Sequence, residues 1–318
     1  MMSRTNIISL SFLVIMGVFP FFADSAWLAV GITFLVFSVV AFSQDIILGR
    51  AGAFHMGHAA FFGLGAYATA ILNTQYGWPI LATWAPAVII PVVVALITTA
   101  PIIHLRGDYL LVTTIGINII FLQILENDLF GITGGPNGIF GIDVVRVFGF
   151  EFFEQIHMYY MAFILLGITL FIMKTLDGSK FGRAMFYINK DDIAAQSMGI
   201  DIRYYKLYAF AIGAGLAGAA GSMFAVQYSA VSPEAFNVLQ SIMFFTIVLV
   251  GGSASLPGVL LGTFVMFVLP EMFREFETAR YLVFGLAMIL TMILRPRGIW
   301  PVKFGNIPAF LKKGKNSE

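Results

Sequence analysis

Two histidines three residues apart, His55 and His58, form the pair whose spacing most suggests chemistry in this chain. Side chains three apart share one face of a helix, where two imidazoles could bind a metal ion or relay a proton. The chain contains no cysteine, and no acidic residue stands close by to complete a metal site. We therefore favour helix packing or gating for this pair, and the sequence predicts no metal site, no cofactor and no catalytic residue.

A second pattern has the form of a nucleotide-binding motif, because Gly213 to Gly218 read G-x-G-x-x-G. The motif lies inside an apolar stretch and lacks the preceding strand that a dinucleotide-binding loop requires. Small residues four apart, Gly215 with Ala219 and Gly218 with Ser222, instead predict close helix packing. The chain also has no G-x-x-x-x-G-K-[ST] sequence, so we do not expect it to bind ATP itself.

The composition indicates that membrane helices carry these residues. The 318-residue chain is 59% hydrophobic and 11% charged, whereas soluble domains carry about 25% charged residues. Its apolar runs do not alternate as the strands of a membrane barrel would. With roughly 20 apolar residues needed for one crossing, the sequence predicts a single all-α polytopic membrane domain over 1–318. It would have about ten transmembrane helices, some short or broken: 6–22, 26–43, 54–72, 80–104, 109–125, 157–175, 207–227, 237–252, 257–273 and 280–295.

The charges predict the orientation of these spans. Fifteen of the eighteen basic residues fall on one side of a ten-span arrangement, and most loops on the other side are acidic. Basic loops stay in the cytoplasm, so we expect both termini to be cytoplasmic in a bacterial inner membrane. The segment 126–156 would then be periplasmic, 177–206 a cytoplasmic loop and 296–318 a cytoplasmic basic tail. The net charge of +1 gives no reason to expect a nucleic-acid partner.

The first apolar segment allows two interpretations. A basic start, an apolar run and small residues thereafter are typical of a secretory signal. The apolar run is long for a cleaved signal, and Asp24 is poorly placed for cleavage before Trp27. We expect a retained helix.

The predicted cytoplasmic loop, 177–206, is a polar segment between two long apolar runs of the sequence. Within it, residues 188–199 predict a short helix with Asn189 as the N-cap and Gly199 as the C-terminal stop. Ile193, Ala194 and Met198 would lie near one face. A small amphipathic helix on the cytoplasmic surface suits docking into a groove of a partner, and a solvated connecting loop is the alternative.

The sequence AAQSMG (194–199), followed by Ile200, resembles the cytoplasmic coupling loop of permeases in ATP-binding-cassette (ABC) importers. More specifically, the chain resembles the LivM-type permeases of the high-affinity branched-chain amino-acid importer family. The matching stretches span most of the chain in the family's order: GRAGAFHMGHAAFFGLGAYATAIL (49–72), LRGDYLLVTTIG (105–116), TGGPNGI (133–139), SKFGRAMFYINKDDIAAQSMGIDIRYYKLYAF (179–210), GGSASLPGVLLGTFVMFVLPE (251–271) and RPRGIW (295–300).

The resemblance implies a transporter subunit rather than an enzyme. Such a permease would form the membrane path with a second, similar permease, while two ATPase subunits hydrolyse ATP and a periplasmic binding protein delivers branched-chain or other apolar amino acids. Permeases for urea or short amides look very similar and are the alternative substrate class. The residues implied to couple to the ATPases are Lys190, Asp191, Asp192, Ile193, Ala194, Ala195, Gln196, Ser197, Met198 and Gly199.

Two glycine-rich segments, one in each half of the chain, predict the translocation path. Paired interrupted segments are the sequence sign of broken helices at a transport site. Helix N-termini there could meet the carboxylate of a zwitterionic amino acid. Close packing that requires small residues explains the same glycines equally well. The candidate residues are Gly57, His58, Gly63, Gly65, Gly251, Gly252, Ser253 and Ser255.

A different class of function, a stand-alone secondary transporter, is less favoured. Ion-coupled carriers use buried charged residues within their spans, and the predicted spans carry no such chain. The same scarcity argues against an ion channel with a charged selectivity ring.

Overall fold

A computed structural model gives the fold. It describes residues 16–105, 107–129, 131–147, 150–152, 154–272, 285–286, 289, 293–295 and 298–300. The predicted spans 6–22 and 280–295 lie mostly outside these residues, and the tail 296–318 almost wholly so.

The described chain is predominantly α-helical, as its composition predicts. Its helices are α1 (Ser25–Asp45), α2 (His58–Thr74), α3 (Ile80–Thr99), α4 (Asp108–Glu126), α5 (Gln155–Gly178), α6 (Lys180–Lys190), α7 (Asp192–Ser197), α8 (Ile202–Tyr228), α9 (Val238–Gly251), α10 (Leu256–Thr263) and α11 (Leu269–Met272). Wider π turns extend α1 over Ile46–Arg50 and join α10 to α11 over Phe264–Val268. Short 3₁₀ turns occupy Phe19–Phe21, Gly135–Asn137 and Pro233–Phe236.

Six helices of the described chain are long and apolar enough to cross a membrane: Ser25–Arg50, Ile80–Thr99, Asp108–Glu126, Gln155–Gly178, Ile202–Tyr228 and Pro233–Gly251. The prediction of a polytopic α-helical membrane protein is therefore confirmed, but the count of ten is not. The span predicted over 54–72 is the 17-residue helix α2. It starts at His58 because residues 51–57 leave the helical path. The span predicted over 257–273 is a shorter apolar helix, Leu256–Met272, with a π turn in its middle.

Helices α1, α2 and α8 form the centre of the bundle, and α3 and α4 expose most of their apolar surface. Glycines allow the central helices to approach closely. A Cβ atom on Gly221 would collide with the Phe62 carbonyl of α2, and one on Gly213 would lie 2.9 Å from the Ser43 carbonyl oxygen of α1. Gly218 packs against the Ala87 carbonyl of α3. The G-x-G-x-x-G sequence is thus a helix-packing surface, as predicted.

Phenylalanines fill the space between the central helices. The Phe37 ring lies 5.4 Å from that of Phe244, and the Phe62 ring lies 5.2 Å from Phe224 and 5.4 Å from Phe236, measured between centroids. These contacts are edge-on, the arrangement that aromatic quadrupoles prefer. They join α1, α2, α8 and α9 into one apolar core.

At one end of the bundle, which we call the hairpin face, β1 (Ile139–Phe140) pairs with β4 (Ala230–Val231) in antiparallel register. A second pair joins β2 (Arg146–Val147) to β3 (Phe150–Glu151). The segment predicted as periplasmic, 126–156, supplies three of these strands. A carboxylate oxygen of Asp128 accepts hydrogen bonds from the amide and hydroxyl of Thr133, both at 2.8 Å. The hydrogen bond from the Thr133 amide, together with that from its hydroxyl, holds the pKa of Asp128 below its usual value. The charged carboxylate therefore closes this loop.

At the opposite end, which we call the loop face, the end of α1 meets the α5–α6 connection and the α9–α10 turn. Arg50 contacts Asp177, and Asn189 contacts Gly49. The amide of Ala254 donates to Asp45. The basic segment predicted to be cytoplasmic, 177–206, lies at this face. The basic loop and the acidic loop therefore lie at opposite ends of the bundle, and which end faces the cytoplasm stays a prediction.

Candidate coupling surface and polar interior

The segment predicted to couple the protein to a partner begins at a capped helix. The Ser179 hydroxyl accepts a hydrogen bond of 3.0 Å from the Gly182 amide and so starts α6 just after α5 ends. Ala184, Met185 and Ile188 of α6 are buried against the bundle. This fixes α6 to the loop face and determines where the next helix starts.

The helix predicted over 188–199 is in fact two helices with a break at Asp191. Asp191 has an extended backbone, and its carboxylate accepts hydrogen bonds from the amides of Ile193 at 2.9 Å and Ala194 at 3.0 Å. Asp191 is therefore the N-cap of α7, and the prediction of Asn189 is wrong. Both residue types cap helices well, but Asn189 lies inside α6, and its side-chain nitrogen Nδ2 donates to the Gly49 carbonyl at 2.6 Å.

The predicted stop at Gly199 is confirmed. Gly199 has a φ of +79°, in the left-handed region that favours glycine. Its amide donates to the Gln196 carbonyl, and the Ile200 amide donates to the Ala195 carbonyl at 3.1 Å. This pair of bonds is the Schellman arrangement, which ends a helix sharply.

Helix α7 presents an apolar surface to solvent. Ile193 is 64% exposed and Met198 62% exposed, and Ala194 between them is also exposed. Ala195 is buried against the bundle and holds the helix in place. Gln196 and Ser197 are exposed, as are Lys190 and Asp191 before the helix. We call the exposed patch of Ile193, Ala194 and Met198 the α7 surface.

An ion pair ties α7 to α8. The Lys206 ammonium lies 3.0 Å from an Asp192 carboxylate oxygen, and the lysine is almost fully buried while the aspartate is partly exposed. An open groove of about 480 Å³ runs beside this pair and is lined in part by Ile103, His104 and Gln196. The pair therefore sets how α7 sits beside the groove.

We predict that Asp192→Ala destabilises the protein more than Lys206→Met. The first change leaves a buried ammonium without its partner, at a cost of about 3 kcal/mol. The second leaves a carboxylate that water still reaches and that the N-terminus of α7 stabilises, so we expect a cost of about 1 kcal/mol. The two variants are heated in detergent, and size-exclusion chromatography then measures how much monodisperse protein remains at each temperature. Equal losses would contradict the burial that the structure gives Lys206.

The two histidines lie in the interior, where α1, α2 and α8 meet. The His58 ring nitrogen Nε2 is 2.6 Å from the Ser43 hydroxyl. His55 lies between the rings of Phe61 and Phe210, at centroid distances of 5.5 and 5.0 Å. Both ring nitrogens of His55 lack a hydrogen-bond partner among the described residues. Within that same part of the chain, no three histidine, aspartate or glutamate side chains gather as metal ligands would.

The first set of predicted path residues lies at the start of α2 and within it. Gly57 precedes the helix, beside the Thr114 carbonyl, and the amide of Ala59 donates to the Ser241 hydroxyl at 2.9 Å. Gly63 and Gly65 are inside an uninterrupted helix rather than at a break. A Cβ on Gly63 would lie 2.8 Å from the rings of Phe121 and Phe236, and one on Gly65 would collide with the Gly218 backbone. These contacts favour close packing for Gly63 and Gly65.

The second set forms the turn between α9 and α10 at the loop face. A Cβ on Gly251 would collide with the Gly258 carbonyl, and Gly252 has a φ of +111°. The Ser255 hydroxyl caps α10 by accepting a bond from the Gly258 amide, while Ser253 is exposed. The two sets therefore occupy different places, one in the bundle interior and one at a turn, and their role as a path stays a prediction.

One cluster was missed by the sequence analysis. Asp45 and Arg50 form an ion pair, and Arg50 also binds Asp177. Asp45 and Arg50 are buried, although both lie between two predicted spans. Residues five apart do not face each other on a regular α-helix, so their spacing gave no signal. The π turn at Ile46–Arg50 brings them together.

Comparison with known proteins gives one consistent result. The model of a family described as the permease component of branched-chain amino acid transport systems matches residues 27–292. The permease protein LivM of the high-affinity branched-chain amino acid transport system of Escherichia coli is 30% identical over 94% of this chain and 76% of its own length. Two probable branched-chain amino acid transport permeases of Methanocaldococcus jannaschii also match: LivM, 27% identical over 71% of this chain and 70% of its own, and LivH, 25% identical over 64% and 67%. No solved structure matches this chain.

Proposed function

Because the chain belongs to the permease family of branched-chain amino acid transport systems, we propose that it is the membrane subunit of an ABC importer for branched-chain or other apolar amino acids. It would carry these amino acids inward across a bacterial inner membrane by alternating access. Both termini would lie in the cytoplasm. Two observations together support the proposal. The family model matches most of the chain, and the helix α7 exposes apolar side chains at the basic end of the bundle.

The energy for transport would come from partner subunits. Two ATPase subunits would bind the cytoplasmic loops of the permease pair. One of them would dock on the α7 surface of this chain, since Ile193 and Met198 are large, apolar and exposed outside the bundle. Ser179 and Asp191 cap the starts of α6 and α7, and Gly199 ends α7. Because the segment is ordered between these residues, a displacement of α7 by the ATPase would displace the membrane helices as well. A rigid element of this kind can bias two packings of the membrane helices.

A second permease would complete the path. Proteins named LivM and LivH both match this chain, and both are named as branched-chain amino acid transport permeases. A similar but distinct chain is therefore the natural partner. A periplasmic binding protein would deliver the amino acid at the hairpin face, where the 126–156 loop lies, and membrane lipid would cover the exposed apolar sides of α3 and α4.

The test begins with purification of the tagged chain in mild detergent from its native membrane, with mass spectrometry of the proteins that come with it. We expect an ATPase with a G-x-x-x-x-G-K-[ST] sequence and a second polytopic permease in comparable amounts. The complex is then reconstituted in liposomes with its binding protein, and uptake of labelled leucine and labelled urea is compared with and without ATP.

ATP-dependent leucine uptake supports the proposal. ATP-dependent uptake of urea without uptake of leucine would show that the substrate is urea or a short amide instead of an apolar amino acid. Recovery of the tagged chain alone, with uptake driven by an ion gradient, would contradict the proposal and indicate a secondary transporter.

A further inference from the structure

The ionic cluster at the end of α1 connects three parts of the loop face. Arg50 donates from Nε and Nη2 to the two carboxylate oxygens of Asp177, at 2.8 and 3.0 Å, and from Nη1 to Asp45. Asp45 is fully buried and the Arg50 side chain is 5% exposed, whereas Asp177 is half exposed. One guanidinium therefore joins a carboxylate inside the bundle to a carboxylate at its surface.

On its inner side the cluster holds the turn between α9 and α10. The second carboxylate oxygen of Asp45 accepts a 2.7 Å hydrogen bond from the amide of Ala254. Ala254 has a φ of +60°, a left-handed conformation that is unfavourable for a residue with a side chain. Such a backbone persists only where its surroundings hold it. Asp45 is thus one of the groups that hold this turn.

On its outer side the cluster meets both ends of α6. Asp177 stands immediately before the end of α5, where the chain turns at Ser179 into α6. At the other end of α6, Asn189 binds the carbonyl of Gly49, the residue before Arg50. A Cβ on Gly52 would lie 3.0 Å from the Cα of Asn189, so the two backbones are in close contact here. A displacement of α6 and α7 would therefore also displace the end of α1.

We propose that Arg50 is a positioning residue of transport, and that the Asp45–Arg50–Asp177 cluster transmits movement of α6 and α7 to the α9–α10 turn. This inference rests on the proposed function, because it requires a partner that moves α7. A buried guanidinium must keep its carboxylates, since separating them would leave charges unpaired inside the bundle. The cluster consequently moves as one unit and carries the α9–α10 turn with it.

The test uses the complete transporter in liposomes and two reporter cysteines. Each cysteine is placed in a separate variant. The chain has no cysteine of its own, so label recovered on this chain comes from the introduced cysteine alone. Met198→Cys reports on the α7 surface, and Ser253→Cys, at an exposed position of the α9–α10 turn, reports on the turn. The rate of maleimide labelling at each position is measured with and without ATP, alongside leucine uptake and ATP hydrolysis.

The test variant is Asp177→Asn, which keeps the shape of the side chain at a half-exposed position and removes its charge. Asp108→Asn is the matched control, since Asp108 is exposed at the start of α4. We expect Asp177→Asn to abolish the ATP-dependent change at Ser253→Cys and to lower the ratio of uptake to ATP hydrolysis by about fivefold or more. Protection of Met198→Cys by the ATPase should persist. Asp177→Glu, which restores a carboxylate, should restore the response at Ser253→Cys.

A second variant changes the other partner of the ion pair, so that the result does not depend on the folding of Asp177→Asn alone. Arg50→Lys keeps the positive charge but cannot bind Asp177 at two points, and we expect it to lose the same response. An unchanged response at Ser253→Cys in both Asp177→Asn and Arg50→Lys would overturn the role of the cluster. Failure of the ATPase to protect Met198→Cys in the otherwise unchanged protein would overturn the proposed function, and the role of the cluster with it.

Discussion

Replacement of Met198 by aspartate is expected to abolish ATP-dependent leucine uptake while the protein still inserts and folds. Met198 is 62% exposed on the α7 surface, so an aspartate there remains hydrated in the isolated chain. At a docked interface the same charge would be buried against an apolar partner. Loss of a central apolar contact at an interface costs about 2 kcal/mol or more, which weakens binding roughly thirtyfold. Recovery of the ATPase with the tagged variant measures the loss.

The matched control is Leu129→Asp. Leu129 is 63% exposed but lies towards the hairpin face, so the same kind of change should leave the recovery of the ATPase intact. Normal recovery with Met198→Asp, or equal losses in the two variants, would remove the α7 surface as the docking site. Ala195→Glu would test the docking site less well than a substitution at an exposed position. Ala195 is buried, and its replacement would displace the whole of α7.

Replacement of Gly65 by leucine is expected to remove folded protein from the membrane. The Cα hydrogen of Gly65 points at the backbone of Gly218, where α2 crosses α8, and backbone cannot yield as a flexible side chain can. Forcing a leucine into this crossing should cost on the order of 3 kcal/mol or more. The amount of monodisperse protein after detergent extraction measures the effect.

Gly116→Leu is the control for that change. Gly116 also lies within a membrane helix, α4, but a Cβ there would meet no other atom within 4 Å. We expect this variant to fold in normal amounts, since leucine also has a better helix propensity than glycine. Equal yields from Gly65→Leu and Gly116→Leu would show that α2 and α8 are not as closely packed as described.

Those features of the fold that depend on local chemistry could be predicted from the sequence. Long apolar runs fix the helices, and the sequence placed six of the spans that the structure describes. Gly199 ended α7 as predicted because only a left-handed residue allows the closing bonds. The N-cap was assigned to Asn189 instead of Asp191 because two capping residues stood close together, and the choice depended on the distant carbonyl of Gly49.

Features that depend on distant contacts could not be predicted. Asp45 and Arg50 fell between the predicted spans 26–43 and 54–72, where a charged residue is expected to be solvated. They are buried because Asp177 and the amide of Ala254, far along the chain, satisfy them. From the sequence, a break in the helix and close packing explained Gly63 and Gly65 equally well. The choice depends on distant groups, Phe121, Phe236 and the Gly218 backbone, which come too close to allow a side chain at either glycine.

Photocrosslinking from Ile193 tests the central claim most directly. A photoreactive residue at this position, 64% exposed on α7, is activated in native membranes, and the adduct is identified by mass spectrometry. We predict a crosslink to an ATPase that carries a G-x-x-x-x-G-K-[ST] sequence, with none from the same residue at Leu129. A crosslink to that ATPase from Leu129 and not from Ile193 would contradict the proposal that α7 is the surface through which ATP drives transport.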